Sequence, residues 1–180
     1  KISPAIFSLS ALEILELFNT NITQLPSEIG QLTALKQLDL RLNTISALPE
    51  TIGNLSQLEV LNCGELTQPF PESLGQLTEL KELDAYGKLN PLPESFGNLV
   101  SLNRLALSSS NLTSLPESFG GLSSLLYCAL ERNELSTIPL SAQQLISLRS
   151  LRLWDNPIAN DTKEKRNAMA LLPAGDVQFK

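Results

Sequence analysis

The sequence predicts an α/β solenoid, in which short strands stack side by side into a sheet and short helices or turns carry the chain from one strand to the next. Three observations predict it. A leucine pattern, LxxLxL, recurs seven times, starting at Leu12, Leu35, Leu58, Leu80, Leu102, Leu125 and Leu148, at steps of 22 or 23 residues. A second block recurs in phase with it, as in Leu25-Pro26-Ser27-Glu28-Ile29-Gly30, Leu48-Pro49-Glu50-Thr51-Ile52-Gly53 and Leu115-Pro116-Glu117-Ser118-Phe119-Gly120. Within each LxxLxL the fourth and sixth positions alternate with polar ones, the period of a strand buried on one face. A single strand of that length cannot hide its apolar face, so successive repeats stack at the inter-strand spacing of about 4.8 Å.

The elements follow in order. Residues 1–11 form a partial repeat, because Ile2-Ser3-Pro4-Ala5-Ile6-Phe7 aligns beneath Leu25-Pro26-Ser27-Glu28-Ile29-Gly30 at an offset of 23. The chain thus opens inside the second half of a repeat without a polar cap, and the expectation is a fragment or a trimmed form of a longer solenoid. Seven repeats then run to residue 158. On each return stroke apolar residues point inward, among them Ile22, Leu25, Ile29 and Leu32, then Ile45, Leu48, Ile52 and Leu55. Pro26, Pro49, Pro71, Pro93, Pro116 and Pro139 suit the first turn of a short helix, where a missing N–H costs nothing. Gly30, Gly53, Gly75, Gly97 and Gly120 let the backbone turn after it. Residues 159–180 read as a C-terminal cap. Asp161 or Thr162 caps a helix running to about Leu172, with Ala168, Met169, Leu171 and Leu172 on its apolar side and Lys163, Glu164, Lys165 and Arg166 in solvent. Pro173 ends it, and Val177-Gln178-Phe179 forms a closing strand.

Composition excludes several function classes. The chain has 180 residues, 42% hydrophobic and 18% charged, with no histidine and a net charge of -6. This much apolar content excludes a disordered chain. The acidic balance argues against nucleic acid, which needs a basic stripe. Without histidine the commonest general base and zinc ligand are missing. Phosphate loops, HExxH, GxSxG and metal-ligand spacings are not found. Neither catalysis, a cofactor nor a metal is therefore expected. Cys63 and Cys128 fall at inward positions three strands apart, about 14 Å at the strand spacing, and should be free buried thiols. No unbroken apolar run, Ala168 to Leu172 included, approaches the length needed to span a membrane. Lys1-Ile2-Ser3-Pro4 has no signal-peptide character, although a processed secreted protein would look the same. Sequons at Asn21, Asn54, Asn111 and Asn160 are mostly by-products of the repeat.

The full pattern, LxxLxLxxNxLxxLPxxIGxLxx, resembles the leucine-rich repeat in its 23-residue variety. That variety is common in bacterial proteins, including spirochaete surface and secreted ones, and in some cytosolic eukaryotic scaffolds. The plant receptor variety, with Gly-x-Ile-Pro, does not match. The resemblance covers Ile2 to about Ile158. It implies a right-handed, horseshoe-like arc with a parallel sheet on the concave face and short helices or turns on the convex one. It also implies an Asn at the ninth position that satisfies buried backbone groups, a place held by Asn43, Asn133 and Asn156, with Thr20 and Ser110 as smaller substitutes. The 22-residue repeats at Leu58 and Leu80 carry Glu65-Leu66-Thr67-Gln68-Pro69 and Lys88-Leu89-Asn90-Pro91 there instead, so their two turns should be reshaped together. Drift in a tolerant loop and a local binding edge both account for them.

Binding is argued from the sheet. Positions three, five and seven of each repeat face solvent, and the core cannot explain aromatic residues there. Column three reads Ile14, Gln37, Val60, Glu82, Arg104, Tyr127, Ser150. Column five reads Glu16, Asp39, Asn62, Asp84, Ala106, Ala129, Arg152. Column seven reads Phe18, Arg41, Gly64, Tyr86, Ser108, Glu131, Trp154. Carboxylates on so open a ladder should keep near-ordinary pKa values. Aromatics beside arginine are the composition of interface hot spots. The protein-binding candidates are Arg104, Tyr127, Arg132, Arg152 and Trp154, with Tyr86, Arg41 and Phe18 behind them. Tyr127 and Trp154 would join into one patch for an acidic or aromatic segment, unless Trp154 folds over the C-terminal helix and seals the cap. The leading expectation is a monomeric, non-catalytic module that binds a protein or peptide on its concave face, with a bacterial secreted or surface factor that engages host proteins as its expected setting. Recognition within a larger enzyme (a ligase effector, GTPase or kinase) and glycan binding are the alternatives. Secretion or surface display is favoured over the cytoplasm.

Overall fold

The computed structural model describes residues 2–171 and 176–179. Among them, eight strands form one parallel sheet in sequential order: β1 (Ile14–Glu16), β2 (Gln37–Asp39), β3 (Val60–Leu66), β4 (Glu82–Gly87), β5 (Arg104–Ala106), β6 (Tyr127–Ala129), β7 (Ser150–Arg152) and β8 (Asp176–Gln178). The register follows the leucine alignment, with Leu15, Leu38, Leu61, Leu83, Leu105, Cys128 and Leu151 in one inward row. That row, and the inward residues of the return strokes, form one continuous core running the length of the arc. The outer face is open, which is the burial pattern the alternation predicts.

The convex segments are 3-10 helices, of five residues in the repeats, and this corrects the expected place of proline. Pro26, Pro49, Pro71, Pro93, Pro116 and Pro139 sit one residue before the helix, in extended conformation. Their carbonyls accept the first turn's bonds, as Pro26 does from the Ile29 N–H at 3.1 Å. So short a segment closes with i→i+3 bonds, and the fixed proline φ sets the entry. The glycines also act differently from expectation. They lie inside the 3-10 turns at negative φ, and what they permit is close approach of the next coil. A Cβ on Gly30 would lie 2.6 Å from the Thr51 carbonyl oxygen, and one on Gly53 2.6 Å from that of Ser73. A ladder of side-chain bonds also ties the convex turns together. The carboxylates of Glu50, Glu72 and Glu117 accept from the backbone N–H of Ser73, Ser95 and Ser141 on the following coil, at 3.3–3.4 Å. The recurrent Pro-Glu pair was its signal.

Asparagine fills its expected role. Asn133 Oδ1 accepts from the N–H groups of Ser110 and Leu112 at 2.9 and 3.1 Å, and its Nδ2 donates to the carbonyls of Leu107 and Leu130 at 2.9 and 2.8 Å. Asn43 and Asn156 make the same kind of bridge between coils. The two 22-residue repeats are indeed reshaped together. β3 and β4 are longer than the other strands and stay paired past a bulge between Asn62 and Gly64, with Gly64 opposite Ala85, Glu65 opposite Tyr86 and Leu66 opposite Gly87. Gly64 and Gly87 have φ of +72° and +115°, a conformation glycine tolerates.

At the C-terminal end, α1 (Thr162–Leu171) is capped by Asp161, whose Oδ1 accepts from the N–H groups of Lys163 and Glu164 at 2.8 and 3.0 Å. Ala168 is buried as expected, but Met169 is 60% exposed, because docking presents the neighbouring side of the helix. Lys165 is drawn out of solvent over the Phe179 ring, 5.5 Å from its centroid. The closing strand begins at Asp176, one residue earlier than the alternation suggests, and pairs with β7. Leu172 and Pro173 lie outside the described residues.

Candidate functional site

The sheet's outer face carries four clusters. Just past the ends of β1 and β2, Arg41 stacks over Phe18 at 5.8 Å and is clamped by Asp39, its Nε 3.0 Å from Oδ1 and its Nη2 on Oδ2. Asp39 Oδ1 also accepts from the Arg41 backbone N–H, so the guanidinium holds this carboxyl below the ordinary carboxylate range. Asp84, half-buried on β4, is pushed the other way by desolvation. The carboxylates of the ladder are therefore displaced in opposite directions, and neither displacement is a large one. A shallow groove of about 210 Å³ runs beside this cluster, past Gln37, Val60 and Asn62.

At the bulge, Tyr86 is exposed opposite Glu65 rather than Gly64, since the inserted residue shifts column seven by one. The bulged strand buries Gly64 instead.

A third cluster lies over β5, β6 and β7. Arg104, Tyr127, Ser150 and Arg152 wall a groove of about 140 Å³ floored by the backbone and the small side chains Ala106 and Ala129. Tyr127 is 47% exposed on this open face. Both arginines are exposed, and the ion pairs among the described residues do not include them.

The fourth cluster sits at the rim. Trp154 is half-buried, and Arg132 stacks over its ring at 5.0 Å, with Asp155 Oδ2 at 3.8 Å from Arg132 Nε. Trp154 joins Arg132, which reaches it from the preceding turn, and the walls of the groove that Tyr127 lines do not include it. Glu131, in the same column, is buried rather than solvated, with Oε2 unpartnered among the described residues. Sequence columns could not show this, because burial there depends on how the neighbouring coil's side chain leans.

Cys63 and Cys128 are buried free thiols, and burial raises both pKa values well above the ordinary thiol range. A larger cavity, about 510 Å³, opens between the first coils, along Asn21–Pro26 and Ser46–Pro49. Among the described residues no group of three or more acidic or cysteine side chains is placed to hold a metal, and no helix is long and apolar enough to cross a membrane.

Comparison with known proteins agrees with this architecture. A leucine-rich repeat region model matches residues 4–90, and a leucine-rich repeat model matches residues 100–158. A leucine-rich repeat protein of Leptospira interrogans is 30% identical over 99% of this chain, with a TM-score of 0.59. The Arabidopsis receptor kinase HAESA, solved with the peptide hormone IDA and the co-receptor SERK1, is 31% identical over 87% of it, with a TM-score of 0.77. An internalin of Listeria monocytogenes shares the fold at a TM-score of 0.76 and 18% identity, over all of this chain and 53% of its own. The chain spans 57% of the Leptospira protein and 28% of the HAESA chain. A search of curated protein sequences returns no match.

Proposed function

Because the chain belongs to the leucine-rich repeat family, whose domains are commonly protein-binding modules, we propose that it is a non-catalytic module that holds a protein or peptide against its concave sheet. The observation that carries this reading is the groove over β5–β7. Its walls combine an exposed tyrosine with two exposed arginines that have no ion-pair partner among the described residues. Side chains of that kind anchor interfaces. The complex of HAESA with a peptide hormone supports a peptide-sized ligand as one option. Trp154 and Arg132 extend the surface at the rim, and Phe18 and Arg41 offer a second contact near the other end. A secreted or surface setting, in a bacterium whose host supplies the partner, goes with this reading; the likeness to the Leptospira protein supports the bacterial part alone. Fractionation of the source cells tests the secreted or surface setting.

The central test is affinity capture with the folded chain and with Tyr127→Ala. The substitution should leave the melting midpoint unchanged and remove partners that the parent retains. Equal capture by both, together with loss of capture on Ile146→Ser at the convex face, would move the interface to the other side.

A further inference from the structure

We propose that the β5–β7 groove reads an extended acidic peptide segment, Arg104 and Arg152 each taking one carboxylate. This rests on the concave-face reading above and adds the chemistry of the partner. Four other cations of the described chain, Lys36, Arg41, Lys81 and Arg132, have a carboxylate within 4 Å. Among the described residues Arg104 and Arg152 have none, and the groove they flank contains no acidic residue, in a chain whose net charge is -6. Arg104 feels Asp84, opposing the rise in that carboxyl's pKa, yet forms no pair with it.

Acids fence the groove on both sides. On β4, Glu82 lies opposite Arg104 and Asp84 opposite Ala106, and on β8 Asp176 lies opposite Ser150. Like charge turns an acidic segment away from those strands and confines it to the three between them. The register places Arg152 two strands and two residues from Arg104. At about 4.8 Å per strand and 3.3 Å per residue, their Cα atoms are roughly 12 Å apart. Carboxylates on alternate residues of an extended segment stand about 7 Å apart on one face. Four flexible side chains close the difference. Ala106 and Ala129 lie between the arginines and let a backbone approach, while Tyr127 covers the segment from the side.

The test is selection of a random peptide library, displayed on phage, against the folded chain, followed by fluorescence anisotropy of the selected peptides. The expected winners carry Asp or Glu at alternating positions and weaken as salt rises. Arg104→Ala and Arg152→Ala should each reduce their affinity about tenfold or more, the loss of one charge-assisted contact. Lys163→Ala, which removes an exposed charge on α1, should not. Winners without acidic residues, or acidic winners indifferent to both arginine substitutions, would overturn the proposal. If such winners still fail on Tyr86→Ala or Phe18→Ala, the concave-face reading survives. Selection of no peptide at all overturns both. Arginine-dependent binding of a sulfated oligosaccharide but of no peptide, or a dimer broken by Arg152→Glu, would give the groove a different occupant.

Discussion

Replacing Asn133 with alanine removes the clearest single tie between coils. Its amide makes five bonds to backbone groups on two successive turns, four of them at 2.8–3.1 Å, and the residue is only 6% exposed. Alanine would orphan the N–H groups of Ser110 and Leu112 and the carbonyls of Leu107 and Leu130. Each buried bond is worth about 1 kcal/mol net, and a group left unsatisfied costs roughly 1–3 kcal/mol. A water entering the vacated space recovers part of this, so the expected loss is about 3–5 kcal/mol. In a chain of this length that is a fall in midpoint of roughly 6–20 °C. Asn43 makes the same four bonds near the open end of the sheet but is only partly buried, so water replaces it more easily. Asn43→Ala should therefore cost about 1–2 kcal/mol. Urea titration of both variants, with the m-value checked for loss of cooperativity, measures the difference. Hydrogen exchange should show Ser110 and Leu112 unprotected in Asn133→Ala. Equal losses for the two variants, or a loss under 1 kcal/mol at Asn133, would refute the argument that burial of these four groups sets the cost.

Four further outcomes are expected. Leu105→Ala, at a fully buried site on β5, should cost about 2–5 kcal/mol, and its outward neighbour Arg104→Ala under about 0.5, by denaturant titration. The thiols of Cys63 and Cys128 should react with a thiol reagent only as fast as the chain unfolds, so a rapid burst from the native protein would place a sulfur at the surface. Asp84 and Asp39 should respond to pH with opposite signs. The raised pKa of Asp84 marks a penalty on its charged form, so Asp84→Asn should raise the urea midpoint at pH 7 and lose that advantage as pH falls through the folded pKa. Asp39, held low by Arg41, adds stability above its unfolded pKa, so Asp39→Asn should lower the midpoint at pH 7 and converge with the parent only in stronger acid. Gly53→Ala drives a Cβ to 2.6 Å from the Ser73 carbonyl oxygen and should cost about 1–3 kcal/mol, whereas a neutral result would mean the convex turns stack more loosely than described.

The repeat made the strands, their order and the core legible, because one periodic signal was written seven times. What it left obscure has a physical cause in each case. Glycine at the convex turn suits both a bend and a close contact, and only the neighbouring coil's carbonyl decides between them. Met169 lies beside Ala168 in the chain, and its exposure depends on how α1 docks rather than on the helix's own pattern. On the sheet's outer face the columns put Arg104, Tyr127 and Arg152 on one side, and these three do wall one groove. They could not tell which arginines would be engaged. Arg41 is held by Asp39, and Arg132 lies on Trp154, while Arg104 and Arg152 have no ion-pair partner among the described residues. Charge counts treat these four alike. Their local partners separate them.

The paired short repeats explain why the outer face can change character along its length. Losing the ninth-position asparagine strips a turn of its acceptor and donor, and those backbone groups still need partners. β3 and β4 supply them by extending together: Lys88 N–H donates to the Leu66 carbonyl at 2.8 Å, and Thr67 N–H to that of Ser46 at 3.0 Å. One repeat could not do this alone, because an extended strand satisfies its edge only against another extended strand. The solution holds each coil in place while relaxing the residue choice at the rim, where Glu65 and Tyr86 now stand opposite each other. Immediately beyond this pair the face changes sign, from Glu82 and Asp84 on β4 to Arg104 on β5. The core row runs through the change without interruption, Leu83 packing in register with Leu105 as it does with Leu61. Stability therefore depends on the inward row and the bridging asparagines, and the outward columns are free to carry a binding surface whose charge reverses within one strand.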